Sequence, residues 1–369
     1  MKYYLIAGEA SGDLHASNLM QGILQHDPQA QFRFFGGDLM ASKGGELVKH
    51  YREMSFMGFW EVLVNLRQIS RNLNYCKKDI AQYKPDAVIL VDYPGFNMRI
   101  ARFAKQAGYK VFYYIAPKVW AWKESRVKAL RKYVDKLLII FPFEVDYFKK
   151  HGIDAVYCGN PLVDSLVEAE RDGAFIQRNE LGTKPIIALL AGSRVQEVKH
   201  NLPVMISLAG KLSAYQLVIA GAPSLDYSVY EPYVKGSEVK IIFNQTQELL
   251  KHSVAAVVTS GTATLEAALL NVPEVVCYRG SLASMLIAGM FIKVKYISLV
   301  NLIMNAEVVR ELIQFKLNSQ TLFDELSSVL PGQPGREKML NNYAQLREIL
   351  GDKGASNRFA EAIVEATKS

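Results

Sequence analysis

Short apolar runs rich in Val, Ile, Tyr and Phe alternate with helix-period segments along the chain, and the alternation starts twice. That spacing fits parallel strands joined by crossover helices. In the first half the expected strands are Lys2–Ala7, Gln31–Phe35, Asp86–Val91, Lys110–Ile115, Lys136–Ile140 and Ala155–Tyr157, each ending in a polar or Gly/Pro loop. The second set is Pro185–Leu190, Gln216–Ala220, Glu238–Ile242, Ala255–Thr259 and Glu274–Cys277. Between the two sets the sequence turns charged and loses its apolar content, as a linker does. The expectation is therefore α/β: two doubly wound Rossmann-like domains at 1–168 and 185–350, a linker at 169–184, and a helical tail at 351–369. A length of 369 residues agrees with two domains, at about 100–200 residues per domain. Ligands of such sheets bind beyond the carboxyl ends of the strands, so the functional loops are expected to face a cleft between the domains. The tail is long enough to cross back onto the first domain or onto a partner subunit of a homodimer.

Composition removes several classes of protein. The three cysteines, Cys76, Cys158 and Cys277, form no CxxC pair, so no disulfide framework or zinc site is expected, and a reducing cytoplasm fits. The six histidines make no HExxH or HxH, and no Asp-x-Asp occurs, so no protein-held metal is expected. No GxxxxGK[ST] and no strand-linked GxGxxG is present, which argues against a P-loop ATPase and a dinucleotide cofactor. The apolar run after Lys2 is too short for a secretory segment, and the stretch Leu282–Ile292 meets Lys293 and Lys295 well before the ~20 residues of a spanning helix.

Charge points to a partner. The chain carries 43 basic and 36 acidic residues for a net +7, yet residues 99–136 alone hold eleven Lys/Arg against Glu124 and Asp135. The basic field belongs to the first half and predicts an anionic partner: nucleic acid, a phosphorylated substrate or an anionic membrane.

The loops after the strands carry the chemistry. The first strand runs into Gly8-Glu9-Ala10-Ser11-Gly12-Asp13, a phosphate-loop-like position without its lysine, in which Glu9 and Asp13 set negative charge. A tight turn with Asp13 as helix cap fits the same residues. Asp92 ends the strand Asp86–Val91 and starts the rigid turn Asp92-Tyr93-Pro94-Gly95-Phe96-Asn97. A carboxylate there suits a general base for a substrate hydroxyl, and it also suits a helix cap. Glu9 and Asp13 join Asp92 as candidate catalytic carboxylates. Lys118, Trp120 and Trp122 interleave charge and aromatic surface after the next strand, which suits base stacking, a phosphorylated amphiphile, or a loop closing over the core.

In the second half the strand Pro185–Leu190 leads into Gly192, Ser193, Arg194 and Glu197 at the start of a helix. Small residues leave backbone N–H groups open, the helix dipole favours an anion, and Arg194 adds a bidentate charge. Ser260, Gly261, Thr262, Ala263, Thr264 and Glu266 open another helix after the strand Ala255–Thr259. The two loops together suit a nucleotide diphosphate, with Glu266 placed either to accept from the ribose hydroxyls or simply to complement the helix dipole.

Taken in order, GEASGD (8–13), MGFWEVL (57–63), DYPGFN (92–97), PKVWAW (117–122), FPFE (141–144), GNPLVD (159–164), GSRVQE (192–197), SGTATLE (260–266) and YR (278–279) closely resemble the lipid-A-disaccharide synthase family over nearly the whole chain. The resemblance implies a GT-B fold and an inverting glycosyltransferase associated with the cytoplasmic side of the inner membrane. It implies that the 6-hydroxyl of 2,3-diacylglucosamine 1-phosphate attacks C1 of UDP-2,3-diacylglucosamine, giving a β-1,6 disaccharide and UDP without nucleic acid or cofactor. It matches Asp92 and Arg194 to the family's functional Asp and Arg, and places Tyr278 and Asn301 among the donor contacts. The chain departs from the pattern at Gly95, Ala116, Asn160 and Ala191, where Asp, Ser, His and Pro are expected. Asp92 is thereby the single carboxylate of its turn. Two rivals are a UDP-N-acetylglucosamine 2-epimerase-like enzyme, which needs no lipid acceptor, and a non-enzymatic nucleotide-sugar or RNA-binding module.

Membrane contact is expected from residues 59–73. At the helical period Phe59, Val62, Leu63, Leu66, Ile69 and Leu73 fall on a core stripe, while Trp60 and Val64 lie with Arg67 and Arg71 on another face. Apolar tips among guanidinium groups suit an anionic interface, although a neighbouring loop could equally cover them.

Overall fold

The computed structural model describes residues 1–54, 66–119, 125–166, 171–280 and 295–369. The chain divides into two compact units, Met1–Asp164 with Asp352–Ser369, and Ser165–Gly351.

The first unit is built on a parallel sheet of β1 (Lys2–Ala7), β2 (Gln31–Gly36), β3 (Glu46–His50), β4 (Ala87–Val91), β5 (Lys110–Tyr114), β6 (Lys136–Ile139) and β7 (Ala155–Tyr157), in the order β3-β2-β1-β4-β5-β6-β7. Its central strands β1, β4 and β5 are apolar on both faces because helices cover both. Tyr3, Leu5 and Ala7 enter one buried cluster, while Tyr4 and Ile6, at the alternate positions, enter the other. The strand order reverses between β1 and β4, so the loops after these neighbouring strands diverge there and open a crevice.

The second unit repeats the plan with β8 (Ile186–Leu190), β9 (Gln216–Gly221), β10 (Lys240–Phe243), β11 (Ser253–Thr259), β12 (Glu274–Tyr278) and β13 (Arg310–Ile313), in the order β10-β9-β8-β11-β12-β13. The corresponding reversal lies between β8 and β11.

The last helix, Ala355–Lys368, belongs to the first unit. Its Phe359, Ala360, Ile363 and Val364 pack with Ala16, Leu19, Met20 and Ile23 of the helix Ala10–His26. Gly22 permits the approach, since a Cβ there would stand 2.8 Å from the Ala360 methyl. Asp164 caps the helix by accepting from the backbone N–H groups of Gly354, Ala355 and Ser356 at 2.8, 3.3 and 3.0 Å. Lys110 donates to the carbonyls of Ala366 and Thr367 at the other end, where the dipole favours a cation. The apolar face of the tail is thus spent within its own chain.

Three features differ from the sequence reading. Edge strands β3 and β13 escape it, because ELVKH and RELI carry the charges that protect a sheet edge and so break the apolar run. Residues 169–184 are not plain linker: Phe175, fully buried, joins the core of the second unit from the short helix Phe175–Arg178. Leu66, expected on a core stripe, is 50% exposed at the start of the helix Leu66–Tyr83, whereas Leu73 is buried and Ile69 packs against the core.

Candidate active site

Glu9, Asp92 and Lys118 follow the carboxyl ends of β1, β4 and β5, three neighbouring strands. Asp92 and Tyr93 both adopt left-handed backbone, at φ 44° and 48°, a conformation costing about 1–2 kcal/mol for an L-residue. Neighbouring side chains hold the turn there. The Asp92 carbonyl accepts from Asn97 Nδ2 and from the Tyr113 hydroxyl, each at 2.7 Å, and its N–H donates to the Tyr114 carbonyl at 3.0 Å. The same Asn97 amide reaches the carbonyls of Val91 and Ile6 at 3.2 and 3.3 Å, so it ties β4 to β1. Tyr93 donates to the Met54 carbonyl at 2.9 Å and lays its ring where a Cβ on Gly8 would come within 2.3 Å. Gly8 therefore lets the turn after β4 rest on the loop after β1.

This arrangement sets the ionisation of Asp92. Burial pushes its carboxyl up to about 6, the Glu9 carboxylate adds to the rise, and Lys118 and the Tyr93 amide pull it back. A carboxylate so placed is ionised near neutrality yet basic enough to take a hydroxyl proton. Its side chain does not cap the following helix, Pro94–Gln106, whose N-cap is Tyr93.

Asp13 has a different environment from Asp92. It is 3% exposed and accepts from the backbone N–H groups of Gly37, Leu39 and Met40 at 2.8, 3.1 and 3.2 Å. Asn160, at the position where a histidine was expected, is also buried and joins the Ile140 carbonyl to the Leu162 N–H.

In the second unit, the loops after the neighbouring strands β8 and β11 open the helices Val195–Ile206 and Thr262–Leu269. Gly192 has φ +112°, and Glu197 fills the place of its missing Cβ, 2.5 Å from it. Glu197 accepts the Ser193 N–H at 3.0 Å and meets Arg194 at 3.4 Å. The Arg194 side chain is 69% exposed. Across at β11, the Ser260 hydroxyl donates to the Ile297 carbonyl at 2.8 Å and Thr264 to the Gly261 carbonyl at 2.9 Å, which shapes the loop and leaves Thr262 exposed, with Gly261 and Ala263 half-buried. Glu266 is raised by burial. Tyr278, the last residue of β12, is 37% exposed. Asn301 is fully buried, and its amide is spent inside the fold: Nδ2 donates to Val309 and Glu311, and Oδ1 accepts from Val308 and Val309.

Of the surface candidates, Lys118, Arg67 and Arg71 are exposed. Trp60, Val64, Trp120 and Trp122 lie outside the described residues. No described helix is long and apolar enough to cross a membrane. The sequence reading missed Tyr113, Asn97 and Tyr93 as supports of Asp92. For Asn97 the signal was its position in the same turn, whereas nothing local marked Tyr113.

Solved structures of similar fold include the UDP-GlcNAc 2-epimerase from Neisseria meningitidis bound to UDP-GlcNAc, with TM-score 0.69 and 13% identity, covering 99% of this chain and 100% of that one. Another is the Methanocaldococcus jannaschii UDP-GlcNAc 2-epimerase in complex with UDP-GlcNAc and UDP, at TM-score 0.66 and 14% identity, covering 99% of this chain and 100% of that one. These establish the GT-B-like α/β fold; at such identity they say nothing of the reaction. Sequence relatives are closer. The lipid-A-disaccharide synthase of Myxococcus xanthus is 39% identical over 98% of this chain and 96% of that protein. That of Syntrophus aciditrophicus is 38% identical over 96% and 95%. A family model described as lipid-A-disaccharide synthetase matches residues 3–364. With two doubly wound parallel sheets, and this match from end to end, the chain belongs to the lipid-A-disaccharide synthase family of glycosyltransferases.

Proposed function

We propose that this chain joins two acylated glucosamines with inversion at the anomeric carbon. The donor is UDP-2,3-diacylglucosamine and the acceptor 2,3-diacylglucosamine 1-phosphate. Asp92 takes the proton of the acceptor 6-hydroxyl as its oxygen attacks C1 of the donor; the bond from C1 to the diphosphate oxygen breaks, and UDP leaves with the electron pair. The observation that carries this reading is the Asp92 turn, strained and supported by Asn97 and Tyr113, with its carboxyl pushed up to about 6 by burial.

The leaving diphosphate is held by Arg194, the backbone at Gly192 and Ser193, and the helix start at Ser260–Ala263. Charge grows on it in the transition state, so these contacts serve rate as well as binding. Glu266 takes the ribose, and Tyr278 stands beside the donor. Asp13, whose carboxylate is committed to backbone amides, and Asn301, whose amide is committed to Val308, Val309 and Glu311, support loops from behind and do not touch substrate. Glu197 fastens its loop by the same logic. Glu9 acts on the ionisation of Asp92.

Incubating purified protein with both acylated substrates and weighing the products tests the reaction: UDP and a β-1,6 disaccharide are expected in equal amounts. Epimerised UDP-N-acetylglucosamine in place of disaccharide would overturn it. A chelator should leave turnover standing, because Arg194 and helix N-termini supply the positive charge.

The chain works at the cytoplasmic face of the inner membrane as a peripheral protein, with the exposed Arg67 and Arg71 at the anionic surface. Each basic residue there contributes ~1 kcal/mol. Replacing Arg67 and Arg71 by Glu should reduce sedimentation with anionic vesicles while UDP affinity stays; undiminished sedimentation would exclude this helix.

A further inference from the structure

We propose that the second unit carries an additional anion subsite, one that takes a phosphate monoester borne on an apolar body. An open cavity of about 470 Å³ is lined by Lys199 and His200 of the helix Val195–Ile206, by Arg279 after β12, and by Gln314 and Phe315 after β13. None of Gly192, Ser193, Arg194 or the residues 260–266 lines it, so it is separate from the loops assigned above to the diphosphate.

Lys199 and Arg279 are cations, His200 and the Gln314 amide can each donate, and no acidic side chain lines the cavity among the described residues. The side chains of Lys199 and His200 have no hydrogen-bond or ion-pair partner among the described residues. Arg279 is held in place from behind: its N–H donates to Asn201 Oδ1 at 2.9 Å, and its Nη2 donates to the carbonyls of Gln314, at 3.3 Å, and Leu317. A guanidinium has five N–H donors, so such bonds orient the group and leave others for a ligand.

Gln314 provides the independent sign of a missing partner. It sits in left-handed backbone at φ 55° and is 6% exposed, yet its Nε2 is buried without a hydrogen-bond acceptor among the described residues. Its amide lies along the wall beside Gly280, where a Cβ would stand 3.7 Å from Nε2. Leaving such a donor unmet is unfavourable, and a small movement toward an incoming oxygen would satisfy it. Four groups able to donate, on Lys199, His200, Arg279 and Gln314, suit the several oxygens of a phosphate monoester better than a single carbonyl. At the mouth Phe315 is 80% exposed, an apolar contact for whatever carries the phosphate.

Two sources share this chemistry: the acylated sugar 1-phosphate, which rests on the function proposed above, and the headgroup of an anionic lipid such as phosphatidate. The test uses the full chain, glucosamine 1-phosphate as probe, and saturating UDP to occupy the donor loops. Calorimetry should show the probe binding in the presence of UDP. Lys199→Glu and, separately, Gln314→Met should each weaken it at least tenfold while UDP affinity changes less than twofold. Displacement of the probe by UDP, or unchanged affinity in Lys199→Glu, whose exposed side chain is dispensable for folding, would overturn the subsite. Two further arms separate the sources. A tenfold higher KM for the acylated acceptor, with kcat and donor KM unchanged, assigns the subsite to the acceptor; loss of sedimentation with phosphatidate vesicles assigns it to the membrane headgroup. If neither moves, the assignment to an apolar carrier is wrong. Absence of any disaccharide from the wild-type protein would defeat the proposed reaction but leave the calorimetric result to decide the subsite.

Discussion

The loops after β1 and β8 occupy the same place in their sheets, each at the point where strand order reverses, and each has a glycine followed five residues later by an acid: Gly8 with Asp13, Gly192 with Glu197. They are used differently. At Gly8 the space of the missing side chain is filled by the Tyr93 ring, and Asp13 turns away to bind the amides at Gly37, Leu39 and Met40. At Gly192 the space is filled by Glu197 from the first turn of the following helix, which binds the Ser193 amide and leaves Arg194 facing solvent. One loop is closed and becomes the platform for a strained carboxylate; the other remains open to an anion. A proton acceptor requires fixed position and partial desolvation, whereas a diphosphate site requires exposed positive charge.

The largest effect should come from removing what the closed loop supports. Asp92→Asn is expected to lower kcat by ~10²–10⁴ with UDP affinity unchanged by calorimetry; a variant keeping more than about a tenth of the activity would end the assignment of Asp92 as base. The open loop should respond otherwise. Arg194→Ala is expected to weaken UDP binding and to lower kcat/KM by about tenfold to a hundredfold, the size of a lost charged hydrogen bond of about 1.5–3 kcal/mol. Unchanged UDP affinity would contradict it.

The platform itself can be broken without touching Asp92. Gly8→Ala drives a methyl into the Tyr93 ring, and a steric insertion of this kind costs about 1–3 kcal/mol; thermal stability and kcat should both fall while UDP affinity holds. Tyr113→Phe removes one of the two side-chain donors to the Asp92 carbonyl and should cost about fivefold to tenfold in kcat, for a hydrogen bond worth about 1 kcal/mol. An unchanged kcat would show that Asn97 suffices. The smallest effects are shifts in the pH profile. Because the base must be ionised, kcat/KM should fall below about pH 6, the value to which Asp92 is raised. Glu9 raises that value and Lys118 lowers it, so Glu9→Gln should move the acidic limb to lower pH and Lys118→Gln to higher pH. Shifts in the reverse sense would show that the limb belongs to another group.

Much of this was legible beforehand. The central strands of both sheets follow from apolar runs that can only be buried on two faces, and the loops bearing Asp92, Arg194 and Thr262 follow from their ends. Edge strands β3 and β13 were hidden because protection of an edge introduces the charges that mask a strand. Phe175 was hidden because one aromatic among charged residues carries no period.

Local sequence determined which residues form strands, where glycines relieve a turn, and which polar loops open helices, since these depend on neighbours within a few positions. It could not separate a carboxylate or amide that binds substrate from one that holds a loop. Asp92 and Asp13 both read as carboxylates at a strand end or helix start and Asn301 as a donor contact, yet Asp13 is spent on the amides of Gly37, Leu39 and Met40 and Asn301 on Val308, Val309 and Glu311, while Asp92 is braced by Tyr113, twenty-one positions along the chain. Only the tertiary structure brings those partners together, and burial, charge and hydrogen bonding then set what each group is able to do.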